Sequence, residues 1–565
     1  MRKTFKIISL IISFTIIMML SSCFFNSVND NDKELDLKEV EFTNLSSDYT
    51  VEDKKINLYF YKDGNVPLID IRDYYNALSG FYDMSSRDVS INKLFNRLYI
   101  SSKKYSQQRV IFDWKYNTIT FKNTLSVYST VSSSSTDFSS YYDMKLISGI
   151  SSLDIEYYLD NYNIDILYKD EKVLMPISVL NLIGGNYYNV IYNTKKLYGY
   201  YYGDDMTDVY DASLVNSTTP ADVASESKNE LLFLLNEKYG LKEYNNVSDY
   251  NTRISAKDML VLNSNNTEER LEAYINIVNK LLDDPHSRMM SSSIYSANRD
   301  KLSQKKYHDS TERTIKISAI FNDLEEKYTI SELNNNLFYY KNDTLFISFD
   351  DFLVGKKNEV YQSDGVYNEN AYLVDTAALF YKALNDCKNN HSEVKNVVID
   401  ISRNGGGYIA AMYRALTFLS DNDVLSGYRV TNDAIEVYNI IGDPNMDGNY
   451  ENDAFKDYNY YILESEGTFS AANAFVCYSK YSKVAKTIGK RSGGGMCAVM
   501  PYVLCDGTQF TLSDSSQQVA IEKIDNKYYW KEIESGAPVD IELDYDNFYN
   551  LDKIIELIHN DQQSV

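Results

Sequence analysis

The chain has 565 residues, 44% of them hydrophobic and 24% charged, with a formal net charge of −24. That length calls for roughly two to four domains, and the composition is that of a folded globular protein rather than a disordered one. So large an acidic excess leaves no basic patch for phosphate, which excludes nucleic acid and electrostatic binding to anionic lipid.

The N-terminus has the pattern of a processing signal. Arg2, Lys3 and Lys6 form a positive n-region, and Ile7 to Leu20 is an apolar run too short to span a bilayer. It ends in Leu20-Ser-Ser-Cys23, which resembles a bacterial lipobox. Residues 1–22 then read as a lipoprotein signal peptide and Cys23 as the lipidation site. The mature protein is expected on the extracytoplasmic face of a bacterial membrane, with residues 23–45 as a polar tether.

Residues 46–210 carry short alternating runs rich in Tyr, Val and Ile. Leu58 to Ile71 reads as strand, Asp-Gly turn, strand, followed by a short helix at Arg72 to Leu78. The pattern returns at Ile166 to Val179, followed by Leu180 to Gly184. This α+β repeat resembles the front domains of copper amine oxidases and of many bacterial surface proteins. The resemblance implies an accessory stalk, not copper chemistry. Ser132 to Ser140 is a Ser/Thr-rich loop.

From 226 to 310 the apolar spacing is helical, as in Glu230 to Tyr239 and Glu268 to Leu282, and predicts a helical cap. Residues 311–565 follow as a core. Strands are expected at Thr314 to Ile320, Leu345 to Phe349, Val397 to Ile401 and Tyr458 to Leu463. Helices are expected at Val374 to Asn385, Ala471 to Tyr481 and Leu551 to His559. This alternation predicts an α/β layered core. The four remaining cysteines, Cys387, Cys477, Cys497 and Cys505, match no zinc spacing and read mostly as reduced core residues.

Ser470 stands where a strand turns into a helix, and Arg403-Asn-Gly-Gly-Gly407 ends 63 residues before it. A hydroxyl at a helix N-terminus, beside glycine amides that no side chain crowds, is the minimum for acyl transfer.

Four blocks occur in order: Leu345 to Phe352, Val397 to Gly407, Gly467 to Ala474 and Ala485 to Gly495. Together they resemble the C-terminal-processing (tail-specific) serine peptidases and their relatives, the tricorn core protease and the chlamydial secreted protease. The resemblance covers residues 226–545. It implies a crotonase/Clp-protease-like ββα core, Ser470 as nucleophile, and an oxyanion hole from Gly405, Gly406 and the amide of Ala471. It requires no metal or cofactor.

The processing branch of this family takes its base from a lysine, but position 495 is glycine and Lys490 lies five residues early. The tricorn-like branch uses a cap histidine, and Leu282-Asp-Asp-Pro-His-Ser-Arg288 supplies one, which makes His286 the expected base. The orienting acid is expected from Trp530 to Asp540, where Glu534 and Glu532 are candidates facing one side if the segment is a strand. Between His286 and Leu345 there are 58 residues, too few for a PDZ domain and its connectors.

The expected function is therefore a lipid-anchored serine endopeptidase acting on protein or peptide substrates through Ser470, His286 and a glutamate. The alternatives are an inactive peptidase-like lipoprotein binding peptide or glycan, and a Ser–Lys peptidase using Lys490. Oligomeric state is open.

Overall fold

The computed structural model describes residues 34–563, apart from 125–126, 134–142, 150–153, 186, 216–217, 298–311, 363–367, 422–423, 432–433, 446–448 and 450–452. The signal peptide, Cys23 and most of the Ser/Thr-rich loop lie outside the described residues.

The front region holds two sheets. One has seven strands and contains both copies of the expected repeat. Leu68–Asp70 leads into the helix Ile71–Ala77, and Lys172–Pro176 leads into the helix Ile177–Gly184. The two copies pair antiparallel through Asp70 with Leu174 and Leu68 with Pro176. The other sheet has five strands between Arg87 and Tyr158.

Residues 35–44, expected to be tether, form instead the strand Leu35–Asn44, paired with Lys54–Tyr61 and with Leu197–Tyr201. Its acidic residues face solvent while Val40 and Phe42 are buried, and that alternation outweighs the polar composition.

The cap begins with the helix Ala221–Phe233 and continues through short helices to Thr267–Tyr274 and a wider-pitched turn at Ile275–Leu281. Its last strand, Arg288–Ser291, pairs antiparallel with the long strand Gln509–Ile524 of the core. This pairing ties the His286 loop to the core.

The segment Thr314 to Ile320, expected as a strand, lies inside the helix Glu312–Thr329. Its alternating Thr-Ile-Lys-Ile suggests a strand. The following Glu, Lys, Leu and Asn residues continue one amphipathic helix, and local β-propensity yields to it.

The core sheet runs in the order Phe338–Lys341, Thr344–Ser348, Asn396–Asp400, Asn459–Glu464, Lys486–Gly489, Ile541–Glu542. Its first pair is antiparallel and the rest are parallel. Thr344–Ser348 and Asn396–Asp400 are buried at every position, as strands covered on both faces must be. The helices Thr376–Asn390, Ile409–Thr417, Ala471–Tyr481 and Leu551–Gln563 cover the sheet. Among the described residues the four cysteines are free; Cys387, Cys477 and Cys497 are buried and Cys505 is partly so. Among the described residues no helix is long and apolar enough to cross a membrane.

Candidate active site

The topology explains why two loops far apart in sequence meet. Asn396–Asp400 and Asn459–Glu464 are adjacent parallel strands, with Asp400 beside Leu463. The glycine run leaves the carboxyl end of the first and the serine turn leaves the same end of the second, the edge where open α/β sheets place their sites. Hydrogen bonds stitch the loops together. Thr468 Oγ1 donates to the Ile401 carbonyl at 2.9 Å, the Phe469 amide to the Asn404 carbonyl at 3.1 Å, and the Phe352 amide to the Gly406 carbonyl at 2.8 Å.

Ser470 is the N-cap of Ala471–Tyr481 and has φ 58° and ψ −123°. A serine pays about 1–3 kcal/mol to hold such a conformation, and cases of this kind cluster where a side chain must be presented. The strain is held by the Ser470 amide donating to the Gly494 carbonyl at 2.8 Å and the Ala474 amide to the Ser470 carbonyl at 2.9 Å.

Gly406 has φ 122°, and a Cβ there would lie 2.8 Å from Ser470 Cβ and 3.2 Å from the Ala471 nitrogen. The glycine loop therefore touches the Ser470 turn beside the Ala471 amide. The Gly406 amide itself donates to Asn404 Oδ1 at 2.9 Å, which leaves Gly405 as the better-placed donor of the two. Gly405 is exposed.

His286 lies on the cap loop and reaches this edge. Its amide donates to Asp284 Oδ1 at 3.0 Å and its carbonyl accepts from Thr511 Oγ1 at 2.7 Å. The imidazole packs on Phe469, the residue before the serine, with centroids 4.7 Å apart. Nδ1 is 3.4 Å from Ser513 Oγ, while Nε2 is buried with no hydrogen-bond partner among the described residues. Burial pushes the imidazole down to about 4, opposed by Asp284 and reinforced by Arg313 and Arg288. It is a neutral ring at neutral pH.

The expected orienting acid is differently engaged. Glu534 is buried, but its Oε1 accepts from Arg313 at 2.5 Å and its Oε2 from the amides of Gly495 and Met496 at 3.1 and 2.8 Å. Burial raises its pKa, and Arg313 opposes that rise. The group on His286 Nδ1 is Ser513, which sequence reasoning missed; it stands in a long strand with no local signal. Glu532 bonds the amide and hydroxyl of Ser535 at 3.0 and 2.6 Å. The strand Lys527–Lys531 ends before both glutamates, and Glu534 lies in the turn that follows, so the two do not share a strand face.

Lys490 pairs with Glu542 and Asp544, each at 3.0 Å, on an open surface. Gly495 has φ 92°, and a Cβ there would lie 2.8 Å from Phe469 Cζ and 2.9 Å from the Ser470 nitrogen. The site is closed to a lysine at that position. His391 stacks on Tyr340 and His559 bonds Asp343, both away from Ser470; His308 lies outside the described residues.

No curated protein matches the chain. Among solved structures it is similar to a photosystem II D1 C-terminal processing protease, at 20% identity and TM-score 0.26 over 36% of this chain and 43% of that one. It is similar to a lipoprotein from Streptococcus agalactiae, at 13% and 0.34 over 60% and 98%. It is also similar to mature CPAF, at 15% and 0.27 over 39% and 52%. The chain thus spans less than two thirds of the first and third of these. Residues 359–523, which contain the glycine run and Ser470 but neither His286 nor Glu534, match the model of peptidase family S41. That stretch is thus similar to the domain of peptidase family S41.

Proposed function

We propose that the protein is a lipid-anchored extracytoplasmic endopeptidase that cleaves proteins or peptides through an acyl-enzyme on Ser470. The observation that carries this is the strained Ser470 turn, packed between the glycine loop and the His286–Phe469 contact. His286 Nε2 takes the Ser470 hydroxyl proton as Oγ attacks the substrate carbonyl. The amides of Gly405 and Ala471 receive the oxyanion, at the N-terminus of an 11-residue helix. The imidazolium then gives its proton to the leaving amine, and water releases the acyl group by the same route in reverse. Glu534 stabilises the imidazolium once it is within reach.

Fluorophosphonate labelling tests the reading. Adduct is expected on Ser470 and lost in Ser470→Ala, with peptide hydrolysis falling by roughly 10²–10⁴ in His286→Ala. Full activity in His286→Ala would return the base to Lys490. The reading of an inactive binding lipoprotein draws on Glu534 being paired with Arg313; a folded protein that never labels would favour it. The anchor is tested by detergent-phase partition of the wild type against Cys23→Ala. Wild type in the aqueous phase would remove it.

A further inference from the structure

The helix Glu312–Thr329 packs on the core through Leu324, with Ile320 and Tyr328 partly buried beside it, and also lies against the site loops. Of its 18 residues only Leu324 is fully buried. Four other side chains nonetheless reach the catalytic edge. Arg313 bonds Glu534 Oε1 at 2.5 Å and the Gly493 carbonyl at 2.8 Å, with its guanidinium 5.5 Å over the Phe469 ring. Lys316 pairs with Glu466 at 2.7 Å. Phe321 Cζ is 3.7 Å from where a Cβ on Gly405 would lie, and its Cε1 is 3.4 Å from that of Gly467. Glu325 pairs with Arg403, at the start of the glycine run.

These contacts fall on both sides of Ser470 and on the glycine expected to bind the oxyanion. A peptide lying against Gly405 would meet Phe321. Arg313, meanwhile, takes the carboxylate oxygen of Glu534 that is not bonded to the loop amides. We propose, on the triad reading above, that Glu312–Thr329 lies across the substrate approach and that Arg313 is a positioning residue holding Glu534 away from His286 until substrate displaces the helix.

The charges are arranged for release. Lys316 is 67% exposed and its pair with Glu466 adds little, whereas the partner of Glu325, Arg403, is only 7% exposed. Arg313 has alternative solvation once withdrawn, whereas Glu534 stays buried and keeps the amides of Gly495 and Met496 as partners. The groups facing His286 are Asp284 and Arg288 on its own segment, Arg313 on the helix and Ser513 on the long strand. Those facing Glu534 are Arg313, Asp284 and the amides of 495 and 496, with Tyr239, Tyr244 and Cys497 also sensing its charge. Removing Arg313 deletes the one nearby cation shared by both groups. An imidazolium then becomes the cation left to Glu534.

The test uses the full chain and two readouts: NMR titration of the His286 ring and the rate of fluorophosphonate labelling. Arg313→Ala is expected to raise the His286 midpoint by about one pH unit or more and to label about tenfold faster. Arg313→Lys should keep the wild-type titration. Phe321→Ala should label faster without moving the titration, since it clears the approach and leaves the charges in place. A titration unmoved in Arg313→Ala overturns the proposal, as does slower labelling in folded Arg313→Ala and Phe321→Ala. If the titration moves but no variant labels, the assignment of Arg313 stands and the peptidase reading falls. Labelling that depends on Ser470 with neither substitution having an effect gives the converse.

Discussion

Ser470 is set apart by its backbone, with φ 58°. A positive φ at a non-glycine residue is tolerated here because two neighbours, Gly406 and Gly495, leave room for it. Gly495→Ala should therefore cost about 1–3 kcal/mol, from the left-handed φ and the contact with Phe469, and Gly495→Lys should lose labelling instead of creating a dyad; urea unfolding and probe labelling check both. His286 makes the second claim at this scale. Its folded midpoint near 4 lies below the usual value of 6.5. The unfolded chain thus binds the extra proton first as pH falls. Stability is complete above pH 6.5 and is lost as pH drops through 4, by on the order of 3 kcal/mol. His286→Gln should flatten that part of the urea-midpoint curve. The acid limb of kcat/KM in the free wild-type enzyme should likewise lie nearer pH 4 than 6.5.

At the scale of elements, the parallel pairing of Asn396–Asp400 with Asn459–Glu464 sets the site. Ile399 is fully buried there, between Ile347 and Ile462 in register. Ile399→Ala should cost about 2–5 kcal/mol by calorimetry and slow labelling through the shifted loop. The glycine run, the strand before it and Ala471–Tyr481 were all legible, because each is dictated by local periodicity and turn chemistry. The helix Glu312–Thr329 was not. Its first turns alternate like a strand, and only its packing against the site loops reveals what they cover.

Across the whole molecule, the three regions are interlocked. The front strand Asp143–Ser148 pairs with Ala434–Ile441 of the core, and Tyr187 Oη donates to the Val499 carbonyl at 2.7 Å. Glu230 of the cap accepts from Ser178 of the front region and from the Cys505 amide of the core at 2.7 Å. Arg270 of the cap meets Asp506 of the core at 3.0 Å, both side chains 1% exposed. Asp506→Ala should leave Arg270 buried and unpaired, at a cost of about 3–5 kcal/mol, and should loosen the cap that carries His286. A single calorimetric transition is expected for the wild type, since one hydrophobic core runs through all three regions; separate transitions would contradict that.

The chain's local chemistry by itself determined the Ser470 turn, the glycine loop, the repeated front motif and the absence of a lysine at 495, since each is a property of a few consecutive residues. The role of Glu534 was different. A carboxylate's partner depends on which cations the fold brings within a few ångströms, and Arg313 comes from 221 positions away in sequence. Only tertiary structure decided that pairing, the Ser513 contact to His286, and the helix set across the glycine loop.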